Sequence, residues 1–290
     1  MSGIPGIRIL MILLICGACS HAATLKQACA GDFQIGGALA ERYVFNPDDE
    51  HSIKALQLAE REFNCVTSEN LMKPASLHPA PGRFHFEHAD RVVKLANALE
   101  LDVVGQVLVW LAQTPKWFFE EADGTQVSRE ALIERMRDHI HTVVKRYKGH
   151  VKYWDVVIEA VEVRREVDPD NPVNEDGSTN KISVAYFRDS PWTEIIGEEF
   201  IELAFKFAHE ADPSARLIYN DYGMTDPAKV DFVVKRIIRP LKKKGVRIDA
   251  VGMQGHWHVD TPGLEEIEEA IETFSSAKVK VHITELDLSV

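Results

Sequence analysis

VKYWDVVIEA, residues 151–160, is a short apolar run rich in β-branched residues that closes on a glutamate. Its composition reads as a strand over 151–158, which leaves Glu159 just past the strand end. A second run, VKVHITELDL at 279–288, carries Glu285 and Asp287 in the same kind of place, with the strand read over 279–285. Five more runs of strand character lie at 33–39 (FQIGGAL), 63–68 (FNCVTS), 102–109 (DVVGQVLV), 216–220 (RLIYN) and 248–254 (IDAVGMQ). Helical periodicity fills the gaps at 50–62, 87–99, 128–147, 194–211, 227–243 and 264–275. Strand followed by helix, over and over, argues for an α/β fold with a parallel sheet under helical cover. So many units in one domain favour a (β/α) barrel over an open sheet.

Seven strands are countable, where a barrel of this type has eight. Without the last one, the first and seventh strands keep unpaired edges, so the barrel is expected to be incomplete at its C-terminal end. The longest irregular stretch, 162–193, contains DPDNPVNEDGSTN and reads as a solvated loop. Pro172 falls where a calcium loop of the helix–loop–helix type would need a ligand. The lysines of LKKKG suit the last turn of a helix, with Gly245 as its C-terminal cap, better than an anion site.

The 290 residues are 45% hydrophobic and 27% charged, which is globular, and the formal charge of −12 disfavours nucleic acid or an anionic membrane as partner. A neutral polymer is compatible with it. Arg8, an apolar run from Ile9 to Ile15 and then small residues give residues 1–22 the layout of a secretory signal peptide. Ser20 and Ala22 place the cut after Ala22, leaving one catalytic domain over 23–290. A lipid anchor at Cys19 is the weaker alternative, since Cys16 occupies the position where an aliphatic residue is expected. Cys29 and Cys65 then remain, too few for a disulfide framework.

In a (β/α) barrel the reactive groups stand at the C-terminal ends of the strands. Those ends carry Glu69, Trp110, Glu159, Asn220 with Asp221, Gln254 with His256, and Glu285 with Asp287. Carboxylates, amides and one imidazole suit sugar hydroxyls and acid/base work. Glycoside hydrolysis uses two carboxylates flanking the scissile bond, roughly 5–5.5 Å apart when configuration is retained. Glu159 and Glu285, on different strands, could supply that gap across a barrel mouth. For Asp287 alone, capping of backbone amides is the competing reading. His256-Trp257-His258 resembles a metal-ligand pattern, but no further cysteine or histidine cluster completes a site, so no metal or other cofactor is expected. Trp117 and Trp257 read equally as sugar platforms and as rim packing.

These residues lie in motifs that run through nearly all of the mature chain: FNCVTSENLMKP (63–74), GRFHFEHAD (82–90), GQVLVWLAQTPKWF (105–118), WDVVIEA (154–160), YNDYG (219–223), GMQGH (252–256) and ITELDL (283–288). Taken in order, they resemble glycoside hydrolase family 10, the endo-β-1,4-xylanases. The resemblance implies a (β/α)8 barrel that hydrolyses xylan with retention, with Glu159 as acid/base and Glu285 as nucleophile. It implies that His256 bonds the nucleophile and is oriented by Asp287. It implies that Glu69, Asn70 and Lys73 bind the sugar next to the cleavage point, with Trp110, Gln113, Asn220, Tyr222 and Gln254 lining the cleft. It also implies xylan or xylo-oligosaccharides as the partner; beside it, the leader-like residues 1–22 make a secreted protein with no membrane attachment after cleavage the expectation, and a monomer is expected.

Three positions depart from the family's pattern. Where two histidines flank the run ending in tryptophan, this chain has Gln106 and Leu111, and the asparagine before the acid/base is Ile158. In the family these residues touch the hydroxyls of the sugar being cleaved. Weakened hydrolysis is therefore one expectation. A xylan-binding homologue with impaired catalysis, or a retaining hydrolase acting on another β-glycan, are the alternatives.

Overall fold

A computed structural model describes residues 22–290. The leader and the Cys19 alternative lie outside the described residues, Ala22 excepted.

The seven expected strands are all present, as β1 (Gly36–Leu39), β2 (Cys65–Ser68), β3 (Asp102–Val109), β4 (Val151–Ile158), β7 (Arg216–Asp221), β8 (Ala250–Met253) and β10 (Lys280–Ile283). They form one sheet in the order β1-β2-β3-β4-β7-β8-β10, and every pairing in it is parallel. Helices over 50–62, 87–98, 129–146, 199–211 and 264–276 connect and cover the strands. Parallel strands covered in this way bury both faces, hence near-continuous apolar runs such as VVI at 156–158 and AVGM at 250–253. The helix Glu199–Ala211 turns Phe200, Ile201, Ala204, Phe205 and Phe207 inward. Helix starts are set by side chains: Asp49 accepts from the amides of His51 and Ser52, and Ser128 from that of Ala131. The expected helix at 227–243 is interrupted by a π-turn over Val234–Ile238, just before Pro240, whose ring would collide with the preceding turn of a regular helix.

Among the described residues β1 pairs only with β2 and β10 only with β8, so the curled sheet is open between its first and last strands. The expected unpaired edges are there. Past the ends of β8 and β10, β9 (His256–His258) and β11 (Asp287–Ser289) form a small parallel pair of their own. Gly255, with φ +84°, makes the break between β8 and β9.

One expectation fails. Residues 162–193 are not a solvated loop but chiefly a β-hairpin, β5 (Val161–Val167) against β6 (Lys181–Phe187), in antiparallel register from Val161 opposite Phe187 to Val167 opposite Lys181. The alternation of VEVRREV was hidden by its charges, which find cross-strand partners: Tyr186 Oη donates to Glu162 Oε2 (2.8 Å) and Arg165 Nη1 to Ser183 Oγ (2.9 Å). The motif DPDNPVNEDGSTN itself, residues 168–180, is the largely exposed tip of the hairpin, as expected of a solvated loop, and residues 188–190 are irregular too.

Candidate active site

Glu159 directly follows β4 with its backbone in the left-handed region, φ +57°, a conformation uncommon for a side-chain-bearing residue. Its N–H donates to the carbonyl of Asn220 at 3.0 Å, and two residues on, the N–H of Val161 donates to Asp221 Oδ2 at 3.2 Å. Both anchors sit at the end of β7. The Glu159 carboxylate is fully engaged: Trp110 Nε1 (2.9 Å) and Arg188 Nη1 (3.1 Å) donate to Oε2, and Gln254 Nε2 (3.1 Å) donates to Oε1.

Glu285 stands two residues beyond β10, its N–H on the carbonyl of Gln254 at 2.7 Å. Gln106 Nε2 (2.8 Å) and Asn220 Nδ2 (3.3 Å) donate to Oε1, while His256 Nε2 lies 3.3 Å from Oε2. The other ring nitrogen of His256 is 2.6 Å from Asp287 Oδ2. Burial opposes charge on that imidazole, but Asp287 and Glu285 outweigh it and hold its pKa above the usual value. His256 thus spends both nitrogens on carboxylates, and among the described residues Asp287 accepts from no backbone amide.

Two residues tie the glutamates together, each through one carboxylate and one backbone amide. Asn220 accepts from the Glu159 amide and donates to Glu285; Gln254 donates to Glu159 and accepts from the Glu285 amide. Gly252 makes room for this, since a Cβ there would meet Asn220 Oδ1 at 2.5 Å. Lys73 reaches into the same space, with Nζ 5.1 Å from the centre of the Trp110 ring and 3.1 Å from Asn70 Oδ1. Burial lowers its pKa, opposed in turn by Glu285, Glu159 and Glu69. Gln113 Nε2 donates to the same Asn70 oxygen at 3.3 Å, and Glu69 is exposed at the rim. Tyr222 lies on the fully buried Lys229, whose Nζ is 3.9 Å from its ring centre. Lys229 pairs with buried Asp221 at 2.8 Å, and Tyr219 Oη donates to the same carboxylate at 2.6 Å. Of the twelve residues expected in the site, these contacts link ten, from Asn70, Lys73, Trp110 and Gln113 through Glu159, Asn220 and Gln254 to His256, Glu285 and Asp287, while Glu69 and Tyr222 make none of them.

The three departing positions are there too. Gln106 touches Glu285, whereas Leu111 and Ile158 line a small cavity beside Glu159 and Trp192 and offer no hydrogen bond. Trp117 is partly buried and packs against the core, its ring 4.1 Å from that of Phe118 and its Nε1 donating to the carbonyl of His78. Trp257 is half-buried and lines an open groove with Arg165, Ser183 and Thr261.

Sequence reading missed two participants. Asp155, mid-strand in β4, is buried beneath the cleft, accepts Asn220 Nδ2 at 3.1 Å through Oδ2, and leaves Oδ1 without a partner. Burial, and then the charge of Glu285, push its carboxyl up to about 7. A charged residue at an inward position of an apolar strand was the available signal. Arg188 was missed with the hairpin that carries it.

Two carboxylates, each held by fixed donors and tied together through Asn220 and Gln254, can act as a proton carrier and a nucleophile. Comparison with known proteins identifies the family. The family model for glycosyl hydrolase family 10 matches residues 24–290. Endo-1,4-beta-xylanase A of Xylanibacter ruminicola is 41% identical over 280 residues, covering 97% of this chain and 69% of that protein. The endo-1,4-beta-xylanase of Geobacillus stearothermophilus is 41% identical over 273 residues, covering 93% and 74%. The solved structure of a GH10 endoxylanase retrieved from a sugarcane soil metagenome superposes with a TM-score of 0.79 at 41% identity, covering 92% of this chain and 70% of that one. With the barrel architecture, the cleft and these relatives in agreement, the chain belongs to glycosyl hydrolase family 10 and is a glycoside hydrolase of the (β/α)8 class.

Proposed function

We propose that this chain is a secreted, monomeric endo-β-1,4-xylanase that cleaves internal bonds of xylan with retention of configuration. The carrying observation is that Asn220 and Gln254 each hydrogen-bond to both Glu159 and Glu285, which holds the two glutamates side by side. Glu285 attacks the anomeric carbon as Glu159 gives its proton to the departing oxygen, and the C1–O bond breaks. Glu159, now ionised, takes a proton from water as that water attacks C1 and frees Glu285. His256 and Asp287 orient the nucleophile. Glu69, Asn70 and Lys73 bind the sugar beside the cleavage point, and Trp110, Gln113, Asn220, Tyr222 and Gln254 line the cleft.

Turnover is reduced by Leu111 and Ile158, which replace hydrogen-bonding residues with hydrocarbon. Losing about 3 kcal/mol of transition-state stabilisation slows turnover by roughly two orders of magnitude. The same two residues support a second reading, a xylan-binding protein with impaired catalysis. Export rests on the leader-like residues 1–22. Reducing-sugar release from xylan tests the proposal: the chain releases sugar and Glu285→Ala does not. Equal release by the variant removes Glu285 as nucleophile, and tight xylan binding with no release by either protein selects the second reading.

A further inference from the structure

Arg188 lies between two carboxylates. Its Nη1 is 3.1 Å from Glu159 Oε2, and its Nε is 2.8 Å from Glu162 Oε1. The arrangement is built rather than incidental. The N–H of Arg188 donates to the carbonyl of Ala160 (2.8 Å), and its carbonyl accepts from Thr193 Oγ1 (3.0 Å). Glu162 is held from its other oxygen by Tyr186, its cross-strand partner in the hairpin. The three side chains are no more than about a third exposed (Arg188 26%, Glu159 18%, Glu162 30%), so solvent screens the contact less than it would a surface ion pair.

Of the groups within hydrogen-bond reach of the Glu159 oxygens, Trp110 and Gln254 are neutral; Arg188 is the charged one. Other charges face the site from further off. They are Glu69 and Lys73 beyond β2, Glu285, Asp287 and His256 on the β8 and β10 side, and the Asp221–Lys229 pair with Tyr222 beyond β7. A guanidinium at this distance attracts a carboxylate and gains little from a neutral acid. Glu162 competes for the same guanidinium and tempers that attraction.

We propose that Arg188 is a positioning residue for Glu159, and that Glu162, carried on the hairpin, sets how strongly Arg188 acts on it. The inference rests on Glu159 being the acid/base. Glycosylation needs Glu159 protonated and deglycosylation needs it ionised, so the Arg188–Glu162 pair balances the two half-reactions. The hairpin thereby has a chemical role in the site.

The test is the pH dependence of kcat/KM on xylohexaose. Arg188→Gln is expected to move the alkaline limb up, Glu162→Gln to move it down, and Arg188→Lys to fall between Arg188→Gln and the unmodified enzyme. Opposite shifts from two neighbouring substitutions are not produced by loosened packing. A dinitrophenyl xylobioside, whose leaving group needs no proton, should show no such shift with Arg188→Gln. Alkaline limbs unchanged in both Gln variants overturn the inference. If Arg188→Gln does not fold, Glu162→Gln decides by the same criterion. Glu159→Ala separates the two levels: full activity of that variant on xylohexaose defeats the acid/base assignment itself, while its inactivity alongside unmoved limbs defeats only the role of Arg188.

Discussion

The side-chain amide of Gln106 donates a 2.8 Å hydrogen bond to Oε1 of Glu285, 179 residues further along the chain. A position that departs from the family's pattern therefore still serves the carboxylate. Hydrogen bonds to charged groups contribute about 1.5–3 kcal/mol. Gln106→Leu is expected to lower kcat/KM on xylo-oligosaccharides by roughly tenfold to a hundredfold. Steady-state kinetics check this, and a variant within twofold of the parent shows that the contact is idle.

Because Gln106 already donates to Glu285, the proposed reduction in turnover is ascribed to Leu111 and Ile158. The double change Leu111→His with Ile158→Asn is expected to raise kcat by about ten- to a hundredfold. Adding Gln106→His should then contribute little more. Measured kcat values for the double and triple variants decide it, and no gain in either sinks the explanation.

Asp155 gives the fold a pH dependence. Its buried carboxyl is pushed up to about 7, against about 3.9 in an unfolded chain. Between those values the unfolded chain releases a proton that the folded one keeps, so this group's contribution to stability falls as pH rises from about 4 to 7. The full loss is on the order of 4 kcal/mol. Asp155→Asn should remove that slope and melt higher than the parent at pH 8, while differing less at pH 5. Parallel melting curves across that range contradict the assignment.

Lys229 and Asp221 are both buried, 2.8 Å apart, under the loop that carries Tyr222. Burial raises the Asp221 pKa and lowers that of Lys229, each opposed by its partner. Lys229→Met leaves a buried carboxylate with less compensation and should cost about 3–5 kcal/mol of stability. Adding Asp221→Asn should recover part of it. Denaturant unfolding of the single and double variants measures both, and a single variant as stable as the parent shows the pair to be dispensable.

The barrel was legible because parallel strands buried on both faces read as plain apolar runs, and because their ends carry the polar residues. Glu159, Asn220, Gln254 and Glu285 could be placed that way. The hairpin was not legible, because Glu162, Arg164, Arg165 and Glu166 crowd one strand with charge and mask its alternation. Losing the hairpin meant losing Arg188. Contacts such as Gln106 with Glu285 depend on curling of the sheet, which local periodicity does not encode. Asp155 escaped notice because it sits inside its strand and not at the end.

The central claim is that Glu285 forms a covalent bond to the sugar while Glu159 carries the proton. A 2-deoxy-2-fluoro xylobioside with a good leaving group traps such a bond, and peptide mass spectrometry locates it. One glycosyl unit on Glu285 is the predicted result. Label on another residue, or turnover of xylohexaose with inverted product anomers by NMR, would contradict it.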